Sequence, residues 1–296
     1  MPSRQVSISA VSAGLLLFAL LSTLAFAAQL NFKPGFNLFT VPEDAKLGKQ
    51  TAAQVEAELP VLEDETATRY LNQLGRSLTT YAPNPQPDYV WQFKVLNSAD
   101  INAFALPGGY IYVNRATIEC AASEAQLAGV LAHEEGHVVM RHGTHQASEA
   151  MLAEKPLDIL SGFFGQDGSL GSALLEDLVG AGIQSLLLKN SRSMEAQADS
   201  VGTYILYHAG YDPHAMAQFF EIIKQKYPGQ TLGALSFLSN HPDPGNRVKA
   251  VDDEVPQLGP AKSWLADDRQ FEAVRAHVLS LPPPPPPKPK PQPQTS

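Results

Sequence analysis

The sequence is poor in cysteine, with a single one, Cys120, among 296 residues. Because a disulfide needs two thiols, no cross-link can form within the chain, and its stability must come from an apolar core or a bound metal. Cys120 lies in the alanine-rich stretch "NRATIECAASEAQ". This context predicts a buried, unreactive thiol rather than a catalytic nucleophile.

Charge is also scarce, since charged residues make up 17% of the chain and the formal net charge is -9. No dense run of lysine or arginine occurs, which argues against a nucleic-acid partner. A hydrophobic content of 44% beside this charge is typical of a folded globular protein.

Long apolar runs are confined to the N-terminus, and none after residue 28 is long enough to cross a membrane. Arg4 precedes the uncharged segment "AGLLLFALLSTLAFA", which ends in the small-x-small pattern "AFA". This arrangement predicts a signal peptide over residues 1–27 and export to the periplasm or cell envelope. The alternative is that the segment is retained and anchors the protein to the membrane.

Composition divides the remainder into three parts. Residues 28–50 are predicted to be an irregular lead-in, and the proline-rich residues 282–296 a disordered tail. Residues 51–281 show mainly helical spacing, including a buried helix over residues 178–188. The segments "YVWQFKVLN" and "INAFALPGGYIYVN" instead predict short strands, the second with a Pro-Gly-Gly turn. We therefore expect one α+β domain that is mainly helical.

The most informative segment is "VLAHEEGHVVMRH", in which His133 and His137 stand four residues apart on a predicted helix. Positions with this spacing lie on one face, so both imidazoles can bind one ion. Glu134 is one step round the helix, where it can reach a water molecule on that ion. The pattern is the H-E-x-x-H arrangement of zinc peptidases, in which the glutamate is the general base. In an apolar helix, a bound ion explains polar groups whose burial would otherwise be costly.

A catalytic zinc site needs a third protein ligand and an open position. The candidates are His142, His145 and Glu195. The metzincin pattern fails, since its glycine and third histidine are absent at positions 140 and 143. Glu195 in "SMEAQAD" fits better, with Asp199 one turn later to accept a proton from the second nitrogen of a histidine.

Taken in order, "HEEGHVVMRH", "SRSMEAQAD" and "SNHPDPGNR" resemble the HtpX and CAAX-prenyl-protease family of gluzincin metalloendopeptidases, particularly the soluble envelope members of the BepA kind. "NAFALPGGYIYV" is a further similar segment, and the resemblance spans about residues 50 to 255. It implies a zincin-like metalloprotease domain that holds one zinc ion. The implied ligands are His133, His137 and Glu195, with Glu134 as catalytic base.

The resemblance also implies roles for residues outside the ligand set. Asn102 and Ala103 would lie on an edge strand of the small sheet, whose backbone pairs with an extended peptide substrate. His241 and Arg247 match the "HP…R" element. His241 would either stabilise the tetrahedral intermediate or fill the open zinc position at rest, and the sequence favours the catalytic role because no tyrosine is clearly placed to supply a donor. His142 is assigned no ligand role.

The sequence therefore predicts a zinc metalloendopeptidase that acts on polypeptides, with unfolded or misassembled envelope proteins as the substrates implied by the resemblance. The alternative is a zinc-stabilised chaperone or adaptor that binds polypeptide without cutting it. Glu134 argues against this alternative, because a site that only binds has no need of a base.

Overall fold

The computed structural model describes residues 30, 32–154, 179–180, 189–226 and 236–286. The predicted signal peptide, nearly all of the segment 178–188 and the end of the proline-rich tail lie outside the described residues. Within them, no helix combines the length and the apolar character needed to span a bilayer.

Helices dominate the described residues, and a three-stranded sheet accompanies them. The elements in chain order are α1 (Val41–Glu58), α2 (Glu65–Thr79), β1 (Gln92–Leu96), β2 (Ala103–Leu106), β3 (Tyr110–Asn114), α3 (Arg115–Cys120), α4 (Glu124–Val139), α5 (His142–Glu154), α6 (Arg192–Ala209), α7 (His214–Lys226), α8 (Ser236–Asn240), α9 (Arg247–Leu258) and α10 (Arg269–Ser280). The predicted mainly helical α+β fold is confirmed.

The irregular lead-in predicted over residues 28–50 is wrong from Val41 onward, where α1 begins. The Glu43 carboxylate accepts hydrogen bonds from the backbone N–H and the hydroxyl of Thr40, at 2.7 Å each, and so stabilises the first turn. Pro42 stands within that turn, where its missing N–H is not needed. The predicted boundary at residue 51 therefore falls inside a helix.

Helix α1 is joined to the rest of the fold by a buried ion pair. Asp44 is 1% exposed and accepts from Arg141 Nε at 2.6 Å and from the Tyr89 hydroxyl at 2.5 Å. Arg141 also donates to the Phe39 carbonyl at 2.5 Å. The N-terminal segment is thus fixed to Arg141, which lies just beyond the C-terminal end of the H-E-x-x-H helix.

The sheet has the strand order β1-β3-β2, with β1 parallel and β2 antiparallel to β3. The predicted Pro-Gly-Gly turn joins β2 to β3, and its two glycines have φ of 75° and 98°, in the region that favours glycine. The outer edge of β1 is covered, because Asn72 Nδ2 donates to the Phe93 carbonyl at 2.6 Å and the Leu62 N–H donates to the Val95 carbonyl at 2.8 Å. Strand β2 forms the opposite edge, which faces α4.

Helix α4 occupies the centre of the core and is buried along nearly its whole length, not along a single apolar stripe. It packs most extensively against α6. A Cβ atom at Gly136 would lie 2.6 Å from the Ala198 carbonyl oxygen, and one at Gly129 would lie 2.7 Å from Met216 Cα. These glycines let α6 bring Glu195 and Asp199, and α7 bring the Phe220 ring, to the histidines of α4.

Candidate metal centre and active-site cleft

The polar face of α4 carries His133 and His137, whose Nε2 atoms lie 3.1 Å apart. Both rings are buried. The four-residue spacing places the rings one above the other, with their centroids 4.7 Å apart. The structure thus brings together the two histidines that the sequence predicts as ligands.

Glu195 reaches the same point from the first turn of α6, which begins after the N-cap residue Ser191. Its side chain is fully buried. One carboxylate oxygen lies 3.4 Å from His133 Nε2, and the other lies 3.4 Å from His137 Nε2. The predicted third ligand is therefore in place beside the two histidines.

His241 completes the cluster. Its Nδ1 atom lies 3.1 Å from both His133 Nε2 and a Glu195 oxygen. Its backbone N–H donates to the Phe237 carbonyl at 2.8 Å, and its ring centroid lies 4.6 Å from that of Phe237. One ligand atom from each of the four residues lies within 4.8 Å of the other three.

The chemistry of these atoms fits a cation. Nδ1 of His133 faces the Asp199 carboxylate at 2.9 Å and donates to it, so in the neutral imidazole the Nε2 lone pair points into the cluster. Several lone pairs at 3.1 to 3.4 Å from one another repel unless a positive charge lies between them. Tetrahedral ligands about 2.1 Å from a zinc ion are themselves about 3.4 Å apart. The donor set of imidazole nitrogens and one carboxylate therefore matches a zinc site.

Asp199 and Arg247 form hydrogen bonds to the candidate ligands. Asp199 accepts from His133 and forms an ion pair with Arg247. Arg247 also donates to Glu195 at 3.2 Å, and its guanidinium lies 3.6 Å from the centroid of the Phe220 ring. A carboxylate that orients a ligating imidazole is typical of metal sites. Asp199 thus lies where the sequence predicted it, beside a histidine of the cluster, and the structure places Arg247 next to it.

His142 is a residue whose part the sequence reasoning missed. Arg141 adopts a left-handed φ of 55° and turns the chain, so that His142 points back at the cluster from the start of α5. Its Nδ1 atom lies 2.8 Å from Nδ1 of His137, and its Nε2 lies 3.0 Å from the Gln197 amide oxygen. Since that oxygen can only accept, His142 carries its proton on Nε2. Its Nδ1 then accepts a hydrogen bond from the Nδ1–H of His137. His137 Nε2 is then left free to bind a metal.

Glu134 lies beside the cluster without belonging to it. It is 1% exposed, and one of its oxygens is 3.4 Å from His241 Nε2 and has no hydrogen-bond partner in the described part of the chain. Burial raises the pKa of Glu134, although His241 and His133 act in the opposite direction and the backbone of Ala105 donates to it. A carboxylate with a raised pKa and one free oxygen is suited to receive a proton.

Charges in the cluster are strongly coupled. Without a metal, burial opposes a charged imidazole at His133, but the neighbouring Glu195 and Asp199 carboxylates raise its pKa to about 9. A metal that binds His133 Nε2 would therefore displace a proton. Burial likewise opposes a charged Glu195, yet His241 and His133 lower the pKa of that carboxyl. At His142, burial lowers the pKa to about 4. Glu195 thus stays ionised, as a metal ligand must be.

The predicted edge strand is present as β2, but the backbone of Asn102 is not free to pair with a peptide there. Its backbone N–H donates to the Thr117 hydroxyl at 3.0 Å, and its carbonyl accepts from the Asn114 N–H at 2.9 Å. Both groups are thus used inside the fold. Backbone groups alternate in direction along an antiparallel strand, so Ala103 and Ala105 turn theirs to the open edge. The edge groups left to pair with a peptide are therefore those of Ala103 and the carbonyl of Ala105, since the Ala105 N–H already donates to Glu134.

A small cavity of about 40 Å³ lies between this edge and the cluster. Its lining includes Phe104, Ala105, Glu134, His137, Asn190 and His241. The cavity has room for a few water molecules, and the Ala103 carbonyl lies 3.4 Å from His241 Nε2. His241 thus supplies the fourth member of the cluster and also lies against one carbonyl of the open edge.

Comparison with known proteins agrees with this geometry. The profile of peptidase family M48 matches residues 65–255, a range that contains the whole cluster. The beta-barrel assembly-enhancing protease of Escherichia coli (strain K12) is 28% identical over 255 residues, or 82% of this chain and 49% of that protein. The mitochondrial metalloendopeptidase OMA1 of Schizosaccharomyces pombe is 31% identical over 170 residues, or 57% of this chain and 48% of that protein.

The mitochondrial metalloendopeptidase OMA1 of Arabidopsis thaliana is 34% identical over 163 residues, or 54% of this chain and 31% of that protein. The chain spans about half the length of the first relatives that it matches. Family membership implies a metal cofactor, and the cluster offers donors for one. Because the family profile matches more than half of its residues, this chain belongs to peptidase family M48.

Proposed function

We propose that the chain is a zinc-dependent endopeptidase that hydrolyses peptide bonds in unfolded or misassembled proteins of the cell envelope. The observation that carries the proposal is the convergence of ligand atoms from His133, His137 and Glu195 beside the buried, partly unpaired carboxyl of Glu134. Two imidazoles with one carboxylate are a donor set of catalytic zinc sites, whereas calcium and magnesium prefer oxygen ligands.

Bound zinc would act as a Lewis acid on the scissile carbonyl and lower the pKa of a water molecule at the site. Glu134 accepts a proton from this water molecule while the water oxygen forms a bond to the carbonyl carbon. It then delivers the proton to the amide nitrogen as the carbon–nitrogen bond breaks. The raised pKa of Glu134 supports both steps, because a carboxyl that titrates nearer to neutral pH can both take and return a proton.

The substrate is held as an added strand on β2. The outward-facing backbone groups of Ala103 and the carbonyl of Ala105 pair with an extended peptide and place its scissile bond beside Glu134. Such pairing is largely independent of side chains, which suits an enzyme acting on unfolded polypeptides. Strand addition also excludes compact folded proteins, whose backbone groups are already paired.

His241 serves as a resting ligand in this proposal. Its Nδ1 lies with the ligand atoms and its Nε2 faces the Ala103 carbonyl, which supports this role over the catalytic role favoured from the sequence. An entering peptide competes with His241 for the Ala103 carbonyl. Binding of substrate and release of His241 are then linked, and hydrolysis of bystander peptides is suppressed.

Export is proposed from the pattern of residues 1–27, with the protein either free in the periplasm or anchored by that segment. The Escherichia coli relative is named for enhancing β-barrel assembly, which supports envelope proteins as the substrate class. Fractionation followed by mass spectrometry of the N-terminus separates the two forms, since a released protein begins near Ala28.

The deciding experiment measures hydrolysis of casein and of an unstructured peptide, together with bound zinc. We expect a chelator to abolish hydrolysis and zinc to restore it. Glu134→Gln should retain one zinc per chain and lose about a hundredfold or more in turnover. The matched control is Glu135→Gln, because the neighbouring carboxyl has no hydrogen-bond partner among the described residues. If the wild type binds casein without cutting it and Glu134→Gln behaves alike, the protein is a binding module.

A further inference from the structure

One amide side chain enters the cleft, and neither metal binding nor the role of the base accounts for its position. Asn190 lies directly before the N-cap of α6, and its side chain is half-buried. Its Nδ2 atom lies 3.5 Å from His137 Nε2, the nitrogen that faces the ligand cluster. A hydrogen-bond donor thus points at the place where the reaction would occur.

The orientation of this amide is fixed by its neighbours. Gln146 Nε2 lies 3.5 Å from the Lys189 backbone carbonyl, which can only accept a hydrogen bond. The Gln146 atom there must therefore be its amide nitrogen, and the Asn190 atom 3.0 Å from it must be the oxygen. The remaining atom of the Asn190 amide, directed at the cleft, is consequently the NH₂ group.

The backbone of Asn190 is held as well. Its N–H donates to the Asn240 carbonyl at 3.2 Å, which ties it to the residue before His241. Gln146 projects from α5, so the side chain and the backbone of Asn190 are fixed by different elements. A donor held at both ends loses little conformational entropy when it binds, which is the condition for electrostatic preorganisation.

We propose that Asn190 is a catalytic residue that donates a hydrogen bond from Nδ2 to the oxyanion of the tetrahedral intermediate. The inference rests on the proposed peptidase function. When the His137 Nε2 lone pair is committed to a metal, it no longer accepts from Asn190, and the amide N–H is left facing the cleft. As the water oxygen bonds to the carbonyl carbon, the carbonyl electron pair moves to oxygen and the water proton passes to Glu134. Asn190 stabilises the new negative charge without transferring a proton.

This assignment supplies the donor that the sequence reasoning sought from His241. At rest, His241 Nδ1 lies among the ligand atoms and its Nε2 faces the Ala103 carbonyl. An entering peptide displaces this ring, whereas the Asn190 amide is already held at the cleft by Gln146. The Asn190 amide lies near Nε2 of His137, whereas His142 contacts Nδ1, the other nitrogen of the same ring. The roles of ligand, base and oxyanion donor then fall to different residues.

The test compares wild type with Asn190→Leu, which is similar in size and lacks the donor, and Asn190→Asp, which places an acceptor there. Both should bind one zinc per chain and keep KM for an unstructured peptide within about threefold. We expect kcat to fall roughly a hundredfold for Asn190→Leu, as for loss of one oxyanion donor, and further for Asn190→Asp. Lys189→Ala is the matched control, since its side chain is exposed and does not line the cavity, and the substitution keeps the backbone carbonyl that contacts Gln146.

A phosphinic pseudopeptide, which carries a tetrahedral anion, provides a readout without turnover. Its inhibition constant should rise by the same factor as KM/kcat in the variants. Unchanged kcat and inhibition constant in either zinc-loaded variant would overturn the assignment, as would loss of zinc in step with activity in both variants. An inactive wild type would instead overturn the proposed function itself, so the two failures are distinguishable.

Discussion

Replacing His142 should weaken metal binding although His142 is not a ligand. A metal on His137 Nε2 forces the proton onto Nδ1, and among the described residues only His142 accepts a hydrogen bond from this N–H, at 2.8 Å in a buried site. Without His142, the metal-bound protein contains a buried unsatisfied donor. The metal-free protein avoids this cost by moving the proton to Nε2. The change therefore acts on metal affinity, and not only on folding.

The expected size follows from that donor. An unsatisfied buried polar group costs about 1 to 3 kcal/mol, which corresponds to roughly 5- to 150-fold in a dissociation constant. Losses of supporting hydrogen bonds in other metal sites lie within this range, at roughly 10- to 100-fold. We expect His142→Ala to raise the zinc dissociation constant by about 10- to 100-fold.

The assay is competition for zinc with a chromogenic chelator at fixed pH, which requires no catalytic activity. His142→Asn should recover most of the affinity, because its side-chain oxygen can accept from His137. His145→Ala is the matched control, since His145 lies on the same helix and contacts the Phe36 carbonyl rather than the cluster. If folded His142→Ala binds zinc within twofold of wild type, the proposed tautomer of His137 is wrong.

Three further predictions test the same region. Glu195→Ala should lose zinc and activity together, and stoichiometric zinc in this variant would place the third ligand elsewhere. Asp199→Ala should keep a zinc site whose affinity, measured by chelator competition, is roughly 10- to 100-fold weaker. His241→Ala should raise the initial rate on an unstructured peptide severalfold with zinc retained, because the fourth corner of the cluster is opened; a hundredfold loss would restore the catalytic role. Asp44→Ala should lower the free energy of unfolding by about 3 kcal/mol in urea titrations, because it leaves the largely buried Arg141 guanidinium unpaired; a change below about 0.5 kcal/mol would show that α1 is dispensable.

Much of the site was predictable because it depends on local geometry. The period of a helix alone places His133 and His137 on one face, whichever helix packs beside it. Glycines at the Pro-Gly-Gly turn and the alternating residues around it were sufficient to predict the β2–β3 hairpin. Glu195 required one assumption beyond spacing, namely that "SMEAQAD" returns to the H-E-x-x-H helix, and the close approach allowed by Gly136 provides that return.

The errors concern groups whose role is set by a distant partner. Pro34 and Pro42 favoured an irregular lead-in. A helix nevertheless begins at Val41, because its first turn is capped and the buried Asp44 is paired with Arg141 and Tyr89. Asn102 stands next to an edge strand in sequence. Only the position of Thr117 reveals that its backbone is already paired.

The sequence by itself thus determined which residues carry the chemistry and how they recur along each helix, because both depend on residue type and backbone periodicity. Tertiary structure alone decided which nitrogen of His137 is free, where His241 rests and which atom of Asn190 faces the cleft. These properties depend on hydrogen bonds that form only in the folded chain: His137 meets His142 through the turn at Arg141, and Asn190 meets Gln146 of α5. A linear pattern specifies the donors and acceptors, but their pairing is fixed only when the helices are packed together.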